Sequence, residues 1–557
     1  MTSTRRLSRA GLPSAVAGSV LVLLTATVPA TPWAFGTRTV SKPVALLDSQ
    51  AWIMGGTGPC CTTPESPWPL PPPELIQPVI DRYITGTIAP ANFGPHYAID
   101  SSYSLATPEQ LHPFTGLESL SFDASVQWGA EVLDEQIRTQ IAAGDSMVVL
   151  GVSQSASIIT REMNYLASLP ADQRPAVDQL AFILLGDGQN PNGGLLERFD
   201  GADVPALLTF SGATPDNVYP TDIFTLEYDG WADFPKYPLN TLAVLNALLG
   251  MATVHGTYAA LSPAQLATAI ELPTAGDTMT HYWMIPTDYL PLLLPFQQLG
   301  VPQWLIDLIE PNLRVLVNLG YGDPDHGWSA GPANVPTVAG LFPTDVNPFA
   351  VLEDLVNGTL RGADAALTDL GLPTLPAWVT GPAGYLQSAL GFLTDQTDPL
   401  IQAVSSGLQD ALDNTVLPGW LTAALNPLAY VLNDLDTAAT HLMDDQVNPL
   451  VQQAIYGIGD PLRDALAELG ASNQLTNAVY VGEQLLPLIL EVPGNLVSNA
   501  LHFVSEGVGD LAANDIGGFV EQLELIPAAA TTLGTLMGIG LPFLALQAII
   551  EGVPLTI

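Results

Sequence analysis

The most constraining stretch of this chain is a short apolar run, MVVL at residues 147–150, that meets Gly151-Val152-Ser153-Gln154-Ser155 and continues into SIITREMNYL. The run is too short for a buried helix and reads as a buried strand. The stretch after it puts Ile159, Met163 and Leu166 on one face at helical spacing. A sharp turn from strand to helix at small residues is the setting of a nucleophile elbow. It lifts a serine hydroxyl above the sheet edge and aims the next N–H at a developing oxyanion. On this reading Ser153 is the nucleophile and Gln154 an oxyanion donor, with Ser155 in place of the usual last glycine. A plain βα turn would use the same strand and helix without any chemistry.

Neighbouring runs fit one architecture. Residues 51–54 end in Gly55-Gly56-Thr57-Gly58, and LAFILL (180–185), ALLTF (206–210) and IFTLEY (223–228) follow. Short, nearly continuous apolar strands alternating with helical segments predict an α/β fold. Its sheet is mostly parallel and covered by helices on both faces, over residues 44–330. Residues 77–113 are richer in turns. A second oxyanion donor belongs on the loop after an early strand, which nominates Gly56 or Thr57.

An activated serine needs a histidine base and a carboxylate to orient it, here in the order Ser…Asp…His. That order excludes His96 and His112, and His441 and His502 fall in a low-complexity region. His255, His281 and His326 remain as bases. Asp229 follows IFTLEY directly, Asp233 comes four residues later, and Asp187 follows LAFILLG. The Asp323, Asp325 and His326 cluster has no further ligands nearby for a metal.

Here a resemblance narrows the choice. Residues 149–155, with glutamine after the serine, are similar to the nucleophile segment of cutinases, and His255-Gly256-Thr257-Tyr258 looks like their His-x-x-Tyr pattern. More fully, the chain resembles the mycobacterial PE-PPE domain family of cutinase-related serine hydrolases. The matching stretches are GDGQNPNGG (186–194), YDGWADFP (228–235), NALLG (246–250) leading to His255, and YWMIP (282–286) before LPLL (290–293). They span roughly residues 45–325. The resemblance implies an α/β-hydrolase fold, acyl-ester or lipid substrates, no cofactor, and a triad of Ser153, Asp229 and His255. Some relatives transfer acyl groups between cell-envelope glycolipids. The stretch from Asp229 to His255 is longer than in compact cutinases and keeps Asp233 as a rival acid. His281 is the second choice of base and His326 the third. The family's usual N-terminal helical modules are replaced by a signal-like segment.

That segment starts with Arg5, Arg6 and Arg9, then runs uncharged through residues 11–30 to Val28-Pro29-Ala30. Residues 1–34 therefore read as a signal peptide or an N-terminal anchor, and the protein as secreted or part of the cell envelope. The chain has 557 residues and a net charge of −41, which argues against nucleic acid and anionic lipid as partners. Only 12% of residues are charged, about half the usual ~25%. Its two cysteines, Cys60 and Cys61, are adjacent, an arrangement poorly suited to a disulfide framework. Residues 332–557 read as a helical, acidic, low-complexity region. Within it the uncharged run 525–550 is expected to form a buried helical hairpin or an interfacial segment. The apolar stretches 289–294 and 304–309 are candidates to cover an acyl groove. A non-enzymatic envelope interaction protein is the competing class, favoured by the amphipathic second half.

Overall fold

Strands in the computed structural model are β1 (Ser49–Met54), β2 (Ser101–Ser104), β3 (Ser146–Val152), β4 (Leu180–Leu185), β5 (Thr221–Leu226), β6 (Ile270–Glu271) and β7 (Thr280–Ile285). They form one sheet in the order β6-β7-β5-β4-β3-β1-β2, every pair parallel except β6 with β7. The structure describes residues 49–553 and Leu555, apart from 59–61, 64–65, 90–92, 95 and 205–206. Residues 1–34 and the Cys60-Cys61 pair lie outside the described residues. All described residues belong to the unit Pro43–Ile557.

The burial follows from the sequence. Strand β4 is buried at every residue and β3 at all but its last. Met147 and Val149 point to one side with Phe182 and Leu184, while Val148 and Leu150 point to the other with Ala181 and Ile183. This period of two on a strand apolar on both faces requires cover on both sides. One face takes α1 (Phe122–Ala143) and α2 (Gln154–Ser168), through Leu133, Ile137, Ile158 and Met163. The other takes Tyr83, Phe93 and Tyr258. The edges are modest: β2 is SSYS and β6 has two exposed residues. Short polar edges discourage further strand pairing.

One strand assignment needs correction. Among the described residues of ALLTF, only Leu208–Thr209 is a strand, paired antiparallel with Asp203–Val204 outside the main sheet. Its backbone is already engaged at the start of α1: Leu207 O accepts from Phe122 N–H and the Asp123 carboxylate from Thr209 N–H. Conversely, THYWMI at 280–285 is a sheet strand, although Thr280 and His281 hide it among polar residues.

Helices α3 (Thr241–Thr253) and α4 (Gln303–Asn318) complete the α/β part. From residue 348 the described elements are all helices: α5 (Pro348–Asp369), α6 (Ala377–Asn414), α7 (Gly419–Leu442), α8 (Asn448–Glu468), α9 (Asn473–Ala513), α10 (Ile516–Thr535) and α11 (Leu541–Glu551). A π turn, Leu536–Gly540, joins α10 to α11 without a break, so the expected hairpin is one helical run. Gly534, Gly538 and Gly540 all keep negative φ. Pro542 falls two residues beyond the π turn, inside the same run. The run Ile516–Ile550 is long and apolar enough to cross a membrane, a test that core helices also pass. Leu525, Ala528 and Ala529 of α10 pack on Val244, Ala247 and Leu248 of α3.

Helix α3 sits close to the end of β5, and Gly250 makes that approach possible. A Cβ there would lie 1.8 Å from the backbone oxygen of Tyr228. Gly250→Ala is expected to destabilise the fold by at least the ~1–3 kcal/mol typical of overpacking. Thermal unfolding checks this; an unchanged midpoint would mean that the helix has room to retreat.

Candidate active site

Ser153 occupies the tight turn between β3 and α2 with φ 58° and ψ −118°. A non-glycine residue in this region is strained, as a serine held above a sheet edge must be. The departure at Ser155 has a use. Its hydroxyl accepts from Val152 N–H at 2.7 Å and donates to Val152 O at 3.0 Å, pinning the turn from inside.

His255 arrives from the far side of the sheet, just after α3. Its Nε2 lies 2.7 Å from Ser153 Oγ, and its Nδ1 lies 2.8 Å from both Asp229 oxygens. Asp229 is fully buried, three residues beyond β5. Trp231 N–H donates to its Oδ1 at 3.1 Å and the Tyr258 hydroxyl to its Oδ2 at 2.7 Å. Tyr258 follows His255 by three residues on the 3₁₀ helix His255–Ala260. Residues three apart eclipse on such a helix, so the base and the phenol face one carboxylate.

On the opposite side, Gln154 ties the elbow to the loop after β1. Its amide donates to Thr57 Oγ1 at 3.1 Å and to Gln110 O at 2.9 Å, and its carbonyl accepts from Ser125 at 2.7 Å. The Gln154 N–H opens α2 and has no acceptor within the helix. Gly56 lies so near that a Cβ on it would stand 3.0 Å from Ser153 Cβ. The loop has a support that sequence reasoning missed: Glu109, buried with φ 49°. Its carboxyl is bonded by Gly55 N–H and by Thr107 Oγ1 at 2.6 Å. Burial raises its pKa to about 8, against the pull of those two donors. A lone acid in a turn-rich stretch gave no signal of this role.

Comparison with known proteins was then decisive. A model of the PE-PPE domain matches residues 99–322. Esterase PE16 of Mycobacterium tuberculosis is 40% identical over 504 residues, 90% of this chain and 78% of its own length. The chain belongs to the PE-PPE family. PPE28, an uncharacterised PPE family protein of the same organism, is 42% identical over 354 residues, 61% of this chain and 51% of its own length. The diacyltrehalose acyltransferase Chp2, also from M. tuberculosis, is 28% identical over 355 residues, 60% of this chain and 92% of its own. No solved structure matches. The family match spans Ser153, Asp229 and His255, while β1 and its glycine loop lie before it.

The other candidates of this PE-PPE chain lie apart. Asp233 is buried and accepts from Tyr228 N–H at 2.9 Å, and burial raises its pKa well above the usual range. Asp187 accepts from Thr214 and Gln189, with its pKa raised to about 6 by burial. His281 lies on β7 with Nδ1 2.8 Å from Glu271, and His326 stacks on Trp328 with centroids 4.0 Å apart. His502 meets Asp436 at 3.0 Å, whereas His441 is largely exposed. The stretches expected to cover an acyl groove do not reach Ser153. Leu290, Leu293 and Ile306 pack with Tyr228, Val317 and Tyr321 in a separate cluster.

Proposed function

We propose that the protein is an exported serine esterase of the PE-PPE family that cleaves acyl esters through an acyl-enzyme. The observation carrying this reading is the unbroken line from Ser153 Oγ through His255 to the buried Asp229. His255 Nε2 takes the Ser153 proton as Oγ attacks the ester carbonyl, and Asp229 holds the imidazole by Nδ1–H. The Gln154 N–H and the Gly56–Thr57 loop receive the oxyanion. One such donor is worth about 10²–10³ in rate. The alcohol leaves with the proton from Nε2, and water then repeats the sequence to free the acid.

Relatedness to an esterase and to an acyltransferase supports acyl-ester chemistry in general. The likeness to Chp2 favours a second reading: a sugar hydroxyl replaces water in the last step and the same residues serve. Residues 44–330 would be the catalytic unit. The uncharged run 11–30 behind its arginines supports export. Exposed apolar side chains along α6–α8, such as Tyr385, Val404, Trp420 and Ile458, support association with the cell envelope.

Treatment with a fluorophosphonate should add one phosphonyl group to Ser153, found by peptide mass spectrometry. Labelling of another serine, or none on folded protein, would refute the nucleophile. Trehalose added to an ester assay separates the two readings: acylated trehalose among the products marks the transferase.

A further inference from the structure

Two cavities meet at Trp231. The one that touches Ser153 and His255 is small, ≈ 60 Å³, and has Leu111, Leu196 and Trp231 on its wall. The other, ≈ 90 Å³, lies behind it, and Trp231 is part of its wall as well. Leu195 and Phe114 face this second cavity, while Leu196 and Leu111 face the first. The two spaces share one wall residue, Trp231. The Trp231 ring stands 6.4 Å from the His255 ring, centroid to centroid.

The second cavity has a distinct character. From the α/β part it is walled by Leu195, Phe114 and Met251, and from α9–α11 by Leu488, Leu533 and Leu544. Thr532 is the single polar side chain on it. With one hydroxyl, such a space cannot satisfy a charge or the several hydroxyls of a sugar, and burying them unpaired is costly. Apolar cavities of this kind stay dry and accept hydrocarbon.

We infer that this cavity takes the alkyl chain of the substrate's acyl group, so that helices α9–α11 supply half of the acyl site. The assignment rests on Ser153 acting as the ester nucleophile: an acyl carbonyl at Oγ has Trp231 beside it and the cavity beyond. It commits the substrate to a neutral ester whose alkyl chain fills ≈ 90 Å³ and gives the C-terminal helices a function. Each methylene that enters should raise kcat/KM roughly threefold to fourfold until the space is filled.

The test uses the full chain with p-nitrophenyl esters from acetate to palmitate. Leu544, on α11 and remote from the triad, is changed in both directions. Leu544→Trp is expected to lower the octanoate-to-acetate ratio of kcat/KM at least tenfold, and Leu544→Ala to move the optimum to longer chains. A misfolded variant could not produce opposite shifts. Chain profiles identical to wild type in both variants would overturn the inference. Binding of benzene, followed by its effect on thermal unfolding, needs no turnover. If no ester is cleaved, the hydrolase reading fails by itself, and the probe decides the cavity. Binding at least tenfold weaker in Leu544→Trp upholds it; equal binding, or none, overturns it.

Discussion

Ser153→Ala is expected to lower kcat/KM on p-nitrophenyl esters by about 10⁴-fold or more, while the protein stays folded. The nucleophile of a working triad carries that much, because the oxyanion donors and base accomplish little without it. His255→Ala should cost a similar factor. The double variant should lose no more than either alone, since the two act as one unit. Asp229→Asn should fall by about 10⁴ as well. An asparagine amide would present N–H to Nδ1 and push the proton to Nε2, where it blocks acceptance from Ser153. The controls are as telling. Asp233 is buried, which raises its pKa, and it accepts from Tyr228 N–H away from His255, so Asp233→Asn should leave the rate within a few-fold. His281→Ala removes a pair with Glu271 at the sheet edge and should be silent. If Asp233→Asn falls as far as Asp229→Asn, the acid has been misassigned.

The elbow was legible because everything it needs is local: a strand, a turn of small residues and a helix within some twenty positions. The α/β class was legible for the same reason, with LAFILL and MVVL as its two central strands. The acid was not. Asp229 and Asp233 share one loop, and what separates them is the backbone of Tyr228, whose φ of 66° turns Asp229 towards His255. That turn also hands Asp233 to Tyr228 N–H, and no spacing rule shows it; only the family resemblance ranked the pair. The His255–Tyr258 spacing was visible, yet its purpose needs the end of β5 alongside. Residues 289–294 and 304–309 were apolar, but an apolar stripe does not name its partner, and theirs is Tyr228 and Tyr321. Half of the walls beyond Trp231 come instead from residues more than 250 positions downstream, a distance over which periodicity says nothing.

Folding stability is expected to be greatest at pH ~4–5 and to fall by several kcal/mol by pH 8. The cause is a set of carboxyls buried without a cation to neutralise them fully. Glu109 is raised to about 8 by burial, and Glu197 to about 8 by burial and then by Asp200. Glu162 reaches about 9 by burial and then by Asp134. All three are at most 3% exposed. In the unfolded chain each ionises near its ordinary ~4.3. Between that value and the folded one, the folded state holds a proton the unfolded state has lost. Stability therefore declines as pH rises, by up to about 1.4 kcal/mol per pH unit for each group. The opposite sign applies to His112, lowered by burial, which costs stability below pH ~6.5 and offsets part of the gain on the acid side. Denaturant unfolding at pH 5, 6.5 and 8 measures the slope, and Glu162→Gln should flatten it. A slope of zero would mean these carboxyls are already ionised in the fold. On the proposed mechanism Glu109 joins this behaviour to catalysis, because its carboxyl holds the Gly55 end of the glycine loop beside Ser153. Ionisation there drives the buried charge to seek water and loosens the loop, so kcat should fall on the alkaline side. Glu109→Gln keeps an acceptor for Gly55 N–H and cannot ionise; its kcat should hold to higher pH than that of the wild type.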